Sequence, residues 1–142
     1  MSSSSTRHRR GFTLVEMMAV LAIIGLLSAV LIVSVRGYVV RGRLTTARMA
    51  VGQLAKAIEL FETDEGRLPS EEEGLDILKR PAVATNEPYY TGSLKDPWGR
   101  PYHYLVPGPD GRPFEVLSLG ADGREGGSGP DADISHLDDP DA

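Results

Sequence analysis

From Met17 to Val35 the chain carries no charged residue (MMAVLAIIGLLSAVLIVSV). Beyond that run the apolar positions thin into a stripe, Leu44, Ala47, Val51, Leu54, Ile58 and Phe61, at spacings of three and four. The first stretch is apolar all round and the second is amphipathic. The sequence therefore predicts one continuous helix, Phe12 to about Asp64, that passes from a non-aqueous environment into a globular domain. An apolar helix the length of the uncharged run rises about 28 Å, close to the ~30 Å hydrocarbon core of a bilayer. The stripe spans only about two and a half heptads, fewer than a coiled coil needs, so it reads as packing against a sheet of its own domain.

Gly66 and Pro69 end the helical pattern. Ser70-Glu71-Glu72-Glu73 has the form of a capping box and predicts a short helix from Glu71 to about Lys79, with Leu75 and Leu78 turned inward and Pro81 as its stop. Residues 80–95 read as a loop whose Pro88-Tyr89-Tyr90 covers the core. Asp96-Pro97-Trp98-Gly99-Arg100-Pro101-Tyr102 is turn chemistry around the chain's only indole. Tyr102–Val106 and Phe114–Leu119 alternate as half-buried strands and predict a hairpin across Pro107–Pro113, with His103 exposed. The fold class is α+β: a long N-terminal helix packed on a small antiparallel sheet.

The 142 residues leave room for one small globular domain besides the helix. No cysteine is present, so no disulfide staples it. The formal charge is −5, and three of the arginines (Arg7, Arg9, Arg10) lie before Gly11, which leaves the remainder more acidic still. A chain of that balance, without a basic groove, is not built to bind nucleic acid. Arg36, Arg41, Arg43 and Arg48 follow the apolar run, so arginines flank it on both sides and charge alone does not orient it. A secretory signal peptide fails on two counts: its apolar region is about 7–15 residues, and no small-residue cleavage site follows Val35. A plain membrane anchor leaves Glu16 unexplained, because a carboxylate costs about 2.5–3.5 kcal/mol at the centre of a membrane helix and marks a functional position.

The octapeptide Arg9-Arg10-Gly11-Phe12-Thr13-Leu14-Val15-Glu16 closely resembles the N-terminus of type IV pilins and pseudopilins. The resemblance implies a leader, residues 1–11, removed by a prepilin peptidase between Gly11 and Phe12. It implies N-methylation of the new Phe12 amine and assembly into a filament, with Glu16 serving assembly near a neighbour's Phe12 amine. One position departs from that family. Val33 stands where a proline is usual, near the twenty-second residue after the cleavage point. Gly66-Arg67-Leu68-Pro69-Ser70-Glu71-Glu72-Glu73-Gly74-Leu75 resembles the Pro-Thr-x-x-x-Gly-Leu segment of major pseudopilins. Asp96–Tyr102 resembles their Asp-Pro-Trp-Gly-x-Pro-Tyr motif.

The stretch from Ser118 to Ser135 is glycine-rich and acidic. Read plainly it is a disordered acidic tail. Calcium supplies the alternative, since it takes about six to eight oxygen ligands and glycines let carbonyls turn inward. The spacing is not that of an EF-hand, and Gly126–Ile134 only partly fits the nonapeptide calcium repeat. The stretch is similar to the Gly-Ala-Asp…Gly-Gly…Ala-Asp-Ile loop of the major pseudopilin, which binds structural calcium. That similarity implies Asp122 and Asp133 side chains and the Leu119 carbonyl as Ca²⁺ ligands, with Asp131 and Ser135 as further candidates.

The resemblance as a whole is to the major pseudopilin (protein G) family of type II secretion. It implies a leader (1–11), a membrane and assembly segment (12–35) and a periplasmic domain (36–142). The subunit would be a single-pass inner-membrane protein surrounded by lipid before assembly. It would polymerise in the periplasm with minor pseudopilins on an inner-membrane platform, and help drive folded exoproteins through the outer-membrane secretin. A type IV pilin of a surface filament is the alternative, although that family carries a C-terminal disulfide loop. An enzyme would need a nucleophile and a base, and His103 and His136 are the only histidines outside the leader. A calcium-dependent binding module is a third class.

Overall fold

The computed structural model describes residues 11–138, and of residues 30–36 the helical backbone alone. The leader before Gly11 and the acids Asp139 and Asp141 lie outside the described residues, and Val33 lies in the stretch described by backbone only. The chain divides into two compact units, Met1–Tyr38 and Val39–Ala142.

Helix α1 runs Leu14–Glu65. In the first unit every described side chain from residue 12 to 29 is exposed, including Leu21 (68 %) and Leu26 (70 %). Ser28 is accommodated there because its hydroxyl donates to the Ile24 carbonyl at 2.7 Å. In the second unit the stripe behaves as its spacing requires. Ala47, Val51, Leu54, Ile58 and Phe61 are buried and Leu44 partly so, against Leu75, Leu78, Tyr102, Phe114, Val116 and Ile134. The helix ends at Gly66, whose φ of +70° only glycine adopts at no cost, with its N–H on the Glu62 carbonyl at 2.8 Å.

The capping box at Ser70 forms: Ser70 N–H donates to Glu73 Oε2 at 2.9 Å and Glu73 N–H to Ser70 Oγ at 3.3 Å. The helix expected behind it, from Glu71, does not. Residues 71–73 are a turn, and a 3₁₀ helix begins only at Gly74 and runs to Lys79. Gly74 takes φ +55°, which breaks α-helical continuity, and its N–H closes the turn on the Ser70 carbonyl at 3.0 Å. Leu75, Ile77 and Leu78 still reach the core from the 3₁₀ helix.

The sheet has three antiparallel strands in the order β1 (His103–Leu105), β2 (Glu115–Ser118), β3 (Ile134–Ser135). The expected hairpin is β1–β2, in a register that pairs Tyr104 with Val116. Both strands are shorter than the alternation implied. The third strand lies inside the stretch that reads as unable to build a core. There Ile134 is 3 % exposed, sits opposite Ser118 and joins the core. His136 seals that edge: its Nδ1 accepts the Val116 N–H at 3.0 Å, and its ring stacks on Phe114 with centroids 4.9 Å apart.

Candidate functional site: the N-terminal cap and the C-terminal loop

The helix N-terminus is built from the four residues Thr13-Leu14-Val15-Glu16. Glu16 N–H donates to Thr13 Oγ1 at 3.2 Å, while Thr13 N–H and Thr13 Oγ1 donate to Glu16 Oε2 at 2.8 and 3.1 Å. This is a reciprocal capping box, so Glu16 satisfies helix-terminal donors of its own chain. The Thr-x-x-Glu spacing announces such a box, a signal passed over when Glu16 is read only as an assembly residue. Gly11, Phe12 and Thr13 precede the helix and are exposed. The Gly11–Phe12 peptide is therefore non-helical and accessible.

The second region is organised by Asp96, which is 5 % exposed. Its Oδ1 accepts the Trp98 N–H (3.0 Å) and the Arg100 N–H (2.9 Å), and its Oδ2 accepts the Ser118 hydroxyl (2.8 Å). The first contact is an Asx turn, the local chemistry that Asp-Pro-Trp encodes. Ser118 and Arg100 as partners of distant segments carry no sequence signal. The Arg100 guanidinium donates to the Gly120 and Ala121 carbonyls at 2.9 and 2.8 Å, holding the start of the loop.

Among the predicted ligands, Asp133 is the one turned into the loop. Its Oδ2 accepts the Gly126 N–H at 2.8 Å, and its Oδ1 is buried with no hydrogen-bond partner. Asp122 Oδ1 accepts the Arg124 N–H at 3.1 Å, and the Leu119 carbonyl accepts the Gly123 N–H at 3.1 Å. Asp131 is exposed, and its carbonyl would lie 2.5 Å from a Cβ at Gly127, which brings positions 127 and 131 together. Ser135 stands on β3, donates its hydroxyl to Glu115 Oε1 and accepts the Leu137 N–H at 3.1 Å. Among the described residues no group of three or more His, Cys, Asp or Glu side chains is gathered tightly enough to hold a metal. A calcium site here would have to draw on backbone carbonyls, and the unpartnered Asp133 Oδ1 is a donor atom that fits one.

Away from the loop, Arg67 grips Glu73 with a fork, Nη1 to Oε2 at 2.7 Å and Nη2 to Oε1 at 2.9 Å. That fork, with the Ser70 N–H, holds the Glu73 carboxyl down to about 2. Burial, helped by Glu62 and Glu73 nearby, pushes the Tyr104 phenol up to about 12, and its hydroxyl donates to the Pro69 carbonyl at 2.9 Å.

A capped N-terminal helix whose amphipathic part packs on a small three-stranded antiparallel sheet defines a pilin-like subunit. The major pseudopilin of the type 2 secretion system of enterohaemorrhagic Escherichia coli shares this fold. It is 25 % identical with a TM-score of 0.54, over 70 % of this chain and 86 % of that one. Residues 34–137 match the family "Type II secretion system (T2SS), protein G", and residues 6–32 match the prokaryotic N-terminal methylation motif. Type II secretion system core protein G of Pseudomonas aeruginosa is 39 % identical, over 93 % of this chain and 97 % of its own. The Xanthomonas campestris protein of that name is 37 % identical, over 94 % of each chain. The chain belongs to the type II secretion system protein G family, and that membership selects the major pseudopilin over the type IV pilin alternative.

Proposed function

We propose that the chain is cut by a prepilin peptidase between Gly11 and Phe12, is methylated on the Phe12 amine, and polymerises into the periplasmic pseudopilus. Minor pseudopilins and the inner-membrane platform would share that assembly, which helps drive folded exoproteins through the secretin. The observation that carries this reading is the bare apolar surface of the first unit, with Phe12 81 %, Leu14 78 % and Val15 74 % exposed. A helix apolar on every side has no stable place in water, and lipid followed by neighbouring copies of the same helix would cover it. Among the described residues no helix is long and apolar enough to cross a membrane. The uncharged run continues through residues 30–35, and the proposed single pass uses Met17–Val35 whole. The catalytic alternative gains no support from the two histidines, since His103 is exposed and His136 is committed to the Val116 N–H.

Calcium belongs to this proposal. Asp133 and Asp122 with the Leu119 carbonyl would hold it, Asp131 and Ser135 being the further candidates, and the ion would supply the charge that ties the acidic loop to the sheet. Two experiments test the reading. Intact mass spectrometry of the chain expressed with its secretion system should show a product that begins at Phe12 and is heavier by one methyl group. Gly11→Leu should leave the leader in place and stop secretion, and secretion by the uncut variant would overturn the assignment. For calcium, the full chain in detergent should melt higher with the ion than with chelator. Ligand at 100 times its dissociation constant contributes about 2.7 kcal/mol. Asp133→Asn should lose that shift.

A further inference from the structure

Among the described residues the Arg100 side chain reaches across to the C-terminal loop, and its backbone is itself fixed. Asp96 Oδ1 accepts its N–H at 2.9 Å, and its carbonyl accepts the Asp96 N–H at 2.7 Å. From that anchored turn the guanidinium fork takes the Gly120 and Ala121 carbonyls at 2.9 and 2.8 Å. The side chain also packs against Gly123, where a Cβ would lie 2.5 Å from Arg100 Nε. The segment it holds is pressed on the far side of the loop. Ala121 N–H donates to the Pro130 carbonyl at 2.9 Å, and a Cβ at Gly120 would lie 2.7 Å from the Ala132 carbonyl oxygen.

We infer that Arg100 is a positioning residue for the cation loop: it fixes residues 119–123 against 130–132 before any ion arrives, and withholds the Gly120 and Ala121 oxygens from that ion. This rests on the calcium reading above. Two opposed effects follow from the same guanidinium. Its charge repels a divalent cation, which weakens binding. Its fork orders a segment whose two glycines have much backbone freedom to lose, which strengthens binding because the ion no longer has to order it. The fork decides the balance, since it satisfies two part-buried carbonyls in one rigid geometry that the single ammonium of a lysine does not reproduce.

The test uses the full chain in detergent micelles, wild type against Arg100→Gln and Arg100→Lys. The lysine variant keeps the charge and the aliphatic stem and loses only the fork. Two readouts are taken: calcium affinity by titration calorimetry, and the rate of tryptic cleavage after Arg124, an exposed residue inside the loop. The near-ultraviolet signal of Trp98 checks that each variant is folded. Both variants should be cut faster than wild type in chelator, return to the wild-type rate in excess calcium, and bind calcium about tenfold more weakly, as loss of a partner that orients a metal site does. Equal cleavage in chelator, or calcium binding unchanged or tighter in Arg100→Gln, would overturn the inference. Absence of any calcium effect on the wild type overturns the calcium reading itself and this inference with it, an outcome distinct from binding that wild type and variants share.

Discussion

The Ser118 hydroxyl donates to Asp96 Oδ2 at 2.8 Å, and both side chains are buried, at 0 % and 5 % exposure. This contact joins the turn at 96–100 to the end of β2, where the C-terminal loop departs. A buried carboxylate is tolerated there because three donors, the Trp98 N–H, the Arg100 N–H and the Ser118 hydroxyl, converge on it.

Asp96→Ala strands those donors in the interior. It should lower stability by about 3 kcal/mol or more, and Ser118→Ala by about 1.5–3 kcal/mol, in urea unfolding followed by Trp98 fluorescence. Loss of less than about 1 kcal/mol in Asp96→Ala would show that water reaches the freed donors.

Glu16 carries two separable roles, a cap and a charge. Gln occupies the same place in a capping box, so Glu16→Gln should keep the start of α1, while Glu16→Ala should fray it. Both variants should be processed at Gly11–Phe12, and if assembly uses the charge neither will form filaments. Filaments from Glu16→Gln alone would assign the residue to capping. Helicity by circular dichroism and filament yield by electron microscopy separate the cases.

The Arg67–Glu73 fork gives a pH dependence of definite sign. The Glu73 carboxyl is held at about 2 in the fold, against 4.5 for the free group. Its contribution is therefore complete above pH 4.5 and fades as the pH falls through 4.5 toward 2. Glu73→Gln should melt below wild type at neutral pH, and the gap should close across that window. The fork is solvent-exposed, so the gap will be small. A gap that stays constant with pH would assign the effect to the capping bond alone.

Ile134 measures how far the C-terminal stretch belongs to the core. Ile134→Ala should cost about 2–5 kcal/mol, as should Leu54→Ala in the helix stripe. Val83→Ala, at 93 % exposure, should stay within about 0.5 kcal/mol of wild type. A near-neutral Ile134→Ala would detach β3 from the cooperative unit.

Particular residues show where reading from sequence succeeds and fails. The stripe from Leu44 to Phe61 was legible because helical periodicity is a local property, and every member went to the core or its edge. Gly66 and the Ser70–Glu73 box were legible for the same reason. The box announces a helix from Glu71 that does not form, because Gly74 takes φ +55°, a backbone state that the box does not encode. β3 leaves no sequence signal, because two residues, Ile134 and Ser135, make too short a period to register, and their pairing with Leu117 and Ser118 is non-local.

The sequence by itself determined the pilin-like class, the capped N-terminus beside Gly11–Phe12, the amphipathic packing of α1 and the turn at Asp96-Pro97-Trp98. Each depends on residues within about a helical turn or two of one another, where spacing dictates geometry. Tertiary structure alone decided that Asp96 meets Ser118, that Arg100 holds Gly120 and Ala121, that Ile134 completes the sheet, and that Asp133 Oδ1 is buried without a partner. Those contacts join segments up to 22 residues apart. The contacts of Asp96, Arg100 and Ile134 exist because the core must close and buried polar groups are driven to find partners, a condition that no local stretch of the chain can satisfy alone; Asp133 Oδ1 is an exception to it.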